Sequence, residues 1–401
     1  MRLTVLGLLA LAAAAALFAA FWGHAVPVGA VFLGAVSLLI GGSVAFVSLR
    51  HPGLAAVAVL SPLPGLLAAG PFALAGGATY SNLLAAYVLG YLVAMCGAGD
   101  IVRRVLETTD AETAARDTLA EGAVPLAGVL LAVAALIVGW LFRGAPRFAA
   151  ETVAEIVAVA VSALVYVPFV ATLLPFSESF FAAANRARER REGAVRLGAM
   201  VAMPRWGMSL SGAALVLATL SGFAARPVLA HSALLAQPAL WAASALLLFL
   251  AAFAVARDWR DALAATLALA VLALASLMLW GRVTRHLTGA SFLDIATAQA
   301  AALFVMLSLL RRMRAYRNAG DLAAVARLRA LEALGLSPWF GAVGGAAVIL
   351  PWIVLHGSIA ALAAMAILAG AAALIAMPAL ATALETLIPR RRSVDELYGR
   401  G

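Results

Sequence analysis

The chain reads as long apolar runs separated by short polar ones. Neither the strict alternation of strands nor the apolar stripe of a soluble amphipathic helix dominates. A bilayer core of about 30 Å takes about 20 apolar residues per helix. Marking runs of that kind predicts twelve spans: 3–22, 27–48, 54–75, 81–102, 125–142, 152–174, 207–225, 233–255, 262–281, 291–310, 338–355 and 359–384. The first, MRLTVLGLLALAAAAALFAAFW, begins like a signal peptide, but its apolar run continues to Trp22. That length reads as a retained first helix. The third span holds Pro62, Pro64 and Pro71 and is expected to kink or break. A membrane helix tolerates this where neighbours satisfy the freed carbonyls.

Composition agrees with the pattern. Of the 401 residues, 65% are hydrophobic and only 12% charged. Mean hydropathy is +1.03. A soluble surface needs about twice that charge. All 28 basic residues are arginine, and they sit at the ends of the apolar runs. That scatter does not make the single basic face of a nucleic-acid binder. With the N-terminus placed in the cytoplasm, 23 arginines fall inside and five outside, namely Arg143, Arg147, Arg226, Arg282 and Arg285. Shifting the topology by one helix destroys this asymmetry, so both ends are expected inside, in a bacterial inner membrane.

The chain also reads as a duplication, 1–200 and 201–401, with six spans in each half. The fourth span of each half ends in a double arginine, VRRVLE and LRRMRAYR. A charged segment follows in each, ETTDAETAARDTLAEGA and NAGDLAAVARLRALEALG, then two spans and a basic segment. An even number of spans per half predicts parallel repeats, related by an axis along the membrane normal. The fold class expected is an all-α polytopic membrane protein of about twelve helices.

The stretch SLRHPGLAAVAVLSPLPGLLAAGPFALAGGATYSNLLAAYVLGYLVAMCGAGDIVRR and its counterpart LLRRMRAYRNAGDLAAVARLRALEALG carry a family resemblance. Their order is similar to the membrane half of resistance-nodulation-division (RND) permeases. It is most similar to the lipid-exporting branch of mycobacterial-membrane-protein-large-like (MMPL) transporters. The resemblance implies a proton-relay aspartate in the fourth span and a large extracytoplasmic domain after the first span of each half. This chain departs from both. The positions matching the relay are Ala94 and, in the second half, Phe304, and neither titrates. The two gaps that would carry domains are Gly23 to Pro27 and Ala225 to Gln237.

Four other carboxylates are candidates for an ion, proton or substrate role, because a charge inside a bilayer is expensive and functional by default. Asp100 can pair with Arg103 or Arg104 at helical spacing. Asp294 is expected near the outer end of the tenth span, facing interfacial water. Glu151 and Glu155 read as an acidic first turn of the sixth span. Cys96 lies in an apolar run and reads as packing. The histidines, His24, His51, His231, His286 and His356, share no spacing that would bind metal. Gly and Ala in GAVGGAAVILP, Gly341 to Pro351, read as a site of close helix approach. No cofactor or catalytic motif emerges, and the chain does not read as an enzyme. The function expected is transport or handling of a lipid or other hydrophobic molecule. The alternative is a non-transporting scaffold or regulatory subunit, and an unrelated twelve-helix transporter is a third reading. Partners expected are membrane lipids and a separately encoded extracytoplasmic protein, with no nucleic acid.

Overall fold

The computed structural model describes residues 28–108, 110–141, 146–174, 178–230, 238–283 and 289–388. The expected first span, 3–22, and the basic tail lie outside them. Among the described residues every regular element is helical. In chain order they are α1 (Val28–Leu49), α2 (Pro52–Leu60), α3 (Leu63–Ala75), α4 (Tyr80–Thr108), α5 (Ala111–Leu141) and α6 (Pro146–Ala171). Then come α7 (Glu178–Ala202), α8 (Pro204–Ala230), α9 (Pro238–Ala256), α10 (Trp259–Val283) and α11 (Gly289–Asn318). The last are α12 (Ala323–Leu334), α13 (Ser337–Ile349), α14 (Ser358–Ala371) and α15 (Met377–Leu387). A 3₁₀ turn, Leu350–Val354, extends α13, and a π segment, Ala372–Ala376, joins α14 to α15. Nine stretches of the described residues are long and apolar enough to cross a membrane. The protein is a multi-pass membrane protein.

The third span breaks where its prolines sit. α2 stops at Leu60 and α3 starts at Leu63, with Pro62 between. The carbonyls freed there find partners on other helices. Ser162 Oγ of α6 donates to Ser61 O at 2.6 Å and accepts from Gly65 N at 3.2 Å. One hydroxyl thus bridges the two groups that an unbroken helix would bond directly. Tyr87 of α4 donates its hydroxyl to Val59 O at 2.7 Å. Side chains of neighbouring helices repair the break, as a lipid-embedded backbone requires.

α4 and α11 form the centre. In their most apolar stretches 83% and 89% of residues are buried, against 17% in α8. α8 keeps Leu215, Val216, Leu220 and Phe223 exposed, as a peripheral helix facing lipid does. α13 lies against α4 through the expected small residues. A Cβ on Gly344 would stand 2.7 Å from the Tyr91 ring, and one on Gly345 would stand 2.8 Å from Val88 Cγ1.

One local device occurs twice among the described residues. In AFVSLRHP and AFAVARDW a helix ends on an arginine in the left-handed region, Arg50 at φ 54° and Arg257 at φ 53°. Each arginine N–H donates to the carbonyl four residues back, Phe46 O at 2.7 Å and Phe253 O at 2.8 Å. The next side chain then holds the following turn. His51 Nδ1 accepts from Leu54 N at 3.1 Å, and Asp258 Oδ1 accepts from Arg260 N at 3.0 Å. A left-handed non-glycine residue costs about 1–2 kcal/mol, and the hydrogen bonds of each turn offset that cost.

The halves differ elsewhere. The first charged segment is not a separate element, because it runs directly into the fifth span as the 31-residue α5. The second is separate, because Gly335 at φ 63° ends α12 before α13 begins.

Candidate functional site

The site the sequence points to is the seam between α4 and α11. The helices run parallel. Asn82 Nδ2, near the start of α4, donates to Asp294 Oδ1, near the start of α11, at 2.8 Å. Toward the other ends Arg312 Nη2 donates to Asp100 Oδ1 at 3.0 Å. Both contacts join residues 212 apart in sequence. The 18 residues between them span about 27 Å of helix, close to the hydrocarbon thickness. The same offset sets Ala94 level with Met306 and Phe304 level with Leu92. All four side chains are buried and apolar. Ala94 and Phe304 therefore lie in an apolar seam with polar contacts at its two ends.

The end of the seam that holds Asp100 is the arginine-rich end of the molecule. Asp100 is 7% exposed. Arg103 Nη2 and Arg104 Nε donate to it at 2.8 Å each, the pairing read from helical spacing. Three further partners were not legible in sequence. Arg312 reaches Asp100 from α11, Thr118 Oγ1 donates to it from α5 at 3.2 Å, and Glu121 accepts from Arg104 and Arg312 at 2.6 and 3.1 Å. Three guanidinium groups around one carboxylate leave no lone pair for a travelling proton. The arrangement is an ion-pair lock joining α4, α5 and α11. A cavity of about 40 Å³ sits above it, lined by Val93, Cys96, Phe304, Ser308, Asp100 and Arg312. That is room for a few waters.

Asp294 departs from expectation. It does not face interfacial water, because the packing of α11 on α4 leaves it 0% exposed. Its Oδ2 has no hydrogen-bond partner among the described residues. Glu155 also departs. Because α6 begins at Pro146, Glu151 and Glu155 stand in its second and third turns rather than its first. Glu155 is 0% exposed, and neither carboxyl oxygen has a partner among the described residues. Glu151 is half-buried, and its carboxylate fills the space that a Cβ on Gly76 would take. The four candidate carboxylates are not brought together. Asp294 and Asp100 mark opposite ends of the seam, and Glu151 and Glu155 belong to α6.

A second buried network went unread in sequence. Arg317 of α11 pairs with Asp258 at 3.1 Å and also with Asp261 of α10. Arg327 of α12, 1% exposed, pairs with Glu385 of α15 at 2.8 Å and donates to Thr382 Oγ1 at 2.6 Å. The partners stand 55 to 59 residues apart, so no local spacing announces them. Among the described residues no group of three His, Cys, Asp or Glu could hold a metal ion.

No protein-family model matches the chain, and no curated protein matches it in sequence. Among solved structures the chain is similar to SecDF in its super-membrane-facing form, with a TM-score of 0.57 and 16% identity. The match covers 92% of this chain and 63% of that one, so the chain spans less than two thirds of the SecDF length. At this identity the likeness is one of fold alone.

Proposed function

We propose that this protein is an inner-membrane, transporter-like protein that handles a lipid or other hydrophobic molecule, with no titrating group at the two relay positions of the RND core. The observation that carries the reading is the α4–α11 seam, central and parallel but apolar at Ala94, Phe304 and their neighbours. An apolar cavity of about 140 Å³ between α8, α10 and the α14–π segment, lined by Leu217, Leu272, Leu368 and Ile375, suits an acyl chain. The MMPL branch is the relative in view, in a form whose outer gaps are short. The molecule is built from two six-helix repeats, 1–200 and 201–401, and its arginine-rich end faces the cytoplasm with both termini. The matched Arg50 and Arg257 turns and the common offset along the seam support this.

Reconstitution into vesicles containing a pH-sensitive dye tests the reading. Candidate lipid should be moved without proton flux, and Asp100→Asn should not change that. Robust proton flux abolished by Asp294→Asn or Glu155→Gln would restore a proton-driven exporter with a displaced relay. Single cysteines near Arg190 and Arg392 should resist an impermeant thiol reagent in whole cells, while one near Gly289 should react. Reaction near Arg190 would overturn the orientation.

A second reading is a membrane scaffold or regulatory subunit that works with a separately encoded extracytoplasmic partner. The observation favouring it is that the buried Asp100–Arg312–Glu121 network ties the two halves at the arginine-rich end and opposes their relative movement. Gentle detergent purification followed by mass spectrometry should then recover the partner. Isolation as a lone chain with full function in cells would remove this reading.

A further inference from the structure

Four acidic side chains are buried among the described residues: Asp100, Glu155, Asp261 and Asp294. Asp100 and Asp261 hold arginines, and Asp294 holds Asn82. Glu155 differs. It is 0% exposed, and both of its carboxyl oxygens are without a partner among the described residues. A buried charge left unpaired is costly.

Its place in the fold brings a second carboxylate to it. A Cβ on Gly90 would meet Val159, and one on Gly97 would meet Val167, so α6 runs parallel to α4. The start of α6 therefore lies at the end opposite the arginine-rich one. Glu151, Glu155, Ala158 and Ser162 follow one another at spacings of four, three and four, which puts them on one face of α6. That face lies on α3. Ser162 Oγ accepts from Gly65 N, and a Cβ on Gly65 would collide with Ala158 O. At the far end of α3 a Cβ on Gly76 would collide with the Glu151 carboxylate. Glu155 stands between these two contacts. Side chains on a helix lean toward its N-terminus, which here is toward Glu151. Glu151 Oε2 is likewise buried without a partner among the described residues.

The end of α3 adds to the negative charge rather than balancing it. Gly76, Gly77 and Ala78 donate their N–H groups to Phe72 O, Leu74 O and Ala73 O at 2.9, 3.1 and 2.8 Å, and Ala75 O accepts no hydrogen bond among the described residues. A helix C-terminus carries about half a negative charge. Gly76 has φ −78°, which any residue adopts, so the backbone does not call for glycine there. The missing Cβ is what lets the Glu151 carboxylate lie against the helix end.

We propose that Glu151 and Glu155 bind a hard divalent cation, best matched by Ca²⁺, at the C-terminus of α3. Two ligands at i, i+4 on one helix face can reach one ion. A hard cation takes backbone carbonyls and water for the rest of its shell, so two acidic side chains suffice. Their two negative charges match a divalent ion, and Ca²⁺ accepts irregular oxygen sets that Mg²⁺ does not.

The test uses the full chain in a neutral maltoside detergent at constant ionic strength. Equilibrium dialysis with radioactive Ca²⁺ reads binding, and thermal unfolding with Ca²⁺ or a chelator reads stabilisation. About one Ca²⁺ per chain should bind saturably, with a Kd of about 0.1–1 mM, and Mg²⁺ should compete weakly. Glu155→Gln should weaken binding about tenfold or more. Without Ca²⁺ this variant should unfold no earlier than the parent, because a neutral amide leaves no buried charge. Gly76→Ala keeps both acids and suits the backbone, and it should weaken binding about tenfold by moving Glu151 off the helix end. Glu192→Gln, on an exposed acid of α7, should leave binding unchanged. Absence of saturable Ca²⁺ binding to the parent would overturn the proposal. So would binding unmoved by both the Glu155 and the Gly76 variants. A parent that ignores Ca²⁺ but loses stability in Arg147→Gln would also overturn it, assigning the counter-charge to the arginine four residues before Glu151.

Discussion

Removing Asp100 tests whether the arginine-rich end of the seam is a lock. Asp100→Asn keeps shape and one acceptor oxygen but removes the charge shared by Arg103, Arg104 and Arg312. Truncating one member of a buried pair costs about 3–5 kcal/mol when its partner is left alone. Here no partner is left alone. Arg103 retains Glu107 at 3.3 Å, while Arg104 and Arg312 retain Glu121 at 2.6 and 3.1 Å. The expected loss is therefore smaller, about 2 kcal/mol. Arg312→Gln is expected to cost a similar amount. Because the two side chains touch across the seam, the double variant should lose less than the sum, with a coupling of about 1 kcal/mol or more. Unfolding of each variant in lipid–detergent bicelles measures all three values. Additive losses, with a coupling under about 0.3 kcal/mol, would show that α4 and α11 are not tied at this end and would refute the lock.

Ser162→Ala should destabilise by about 1–3 kcal/mol, because Ser61 O and Gly65 N lose their shared partner; Ser43→Ala, whose exposed hydroxyl bonds only within its own helix, should cost under about 0.5 kcal/mol in the same assay. Arg327→Gln should cost about 2 kcal/mol, because Glu385 loses its 2.8 Å partner but keeps Arg317 at 3.9 Å, whereas exposed Arg188→Gln should be near neutral in thermal unfolding. Gly344→Ala should cost about 1–3 kcal/mol by driving a methyl into the Tyr91 ring, and a variant as stable as the parent would mean that α13 does not pack on α4 so closely.

Much of the architecture follows from local sequence. Apolar run length fixes which segments span, since lipid rewards any helix of about 20 apolar residues whatever its neighbours. Pro62 forecast the break in the third span, and the glycines from Gly341 to Gly345 forecast a close approach, because both act through the backbone at their own positions. Pairing of Asp100 with Arg103 and Arg104 was legible for the same reason, being set by helical spacing. Tertiary structure decided the rest. Asp294 and Glu155 looked like ordinary acidic positions near helix starts, and only packing shows them buried, because burial depends on which helix lies alongside. Arg312, Arg317, Arg327 and Glu385 find partners far away in sequence, and no periodicity encodes that meeting. Arg190 belongs to a segment that reads only as basic, yet it turns inward, since the neighbouring ends of α1 and α13 present Ser48 and Ser337 to it.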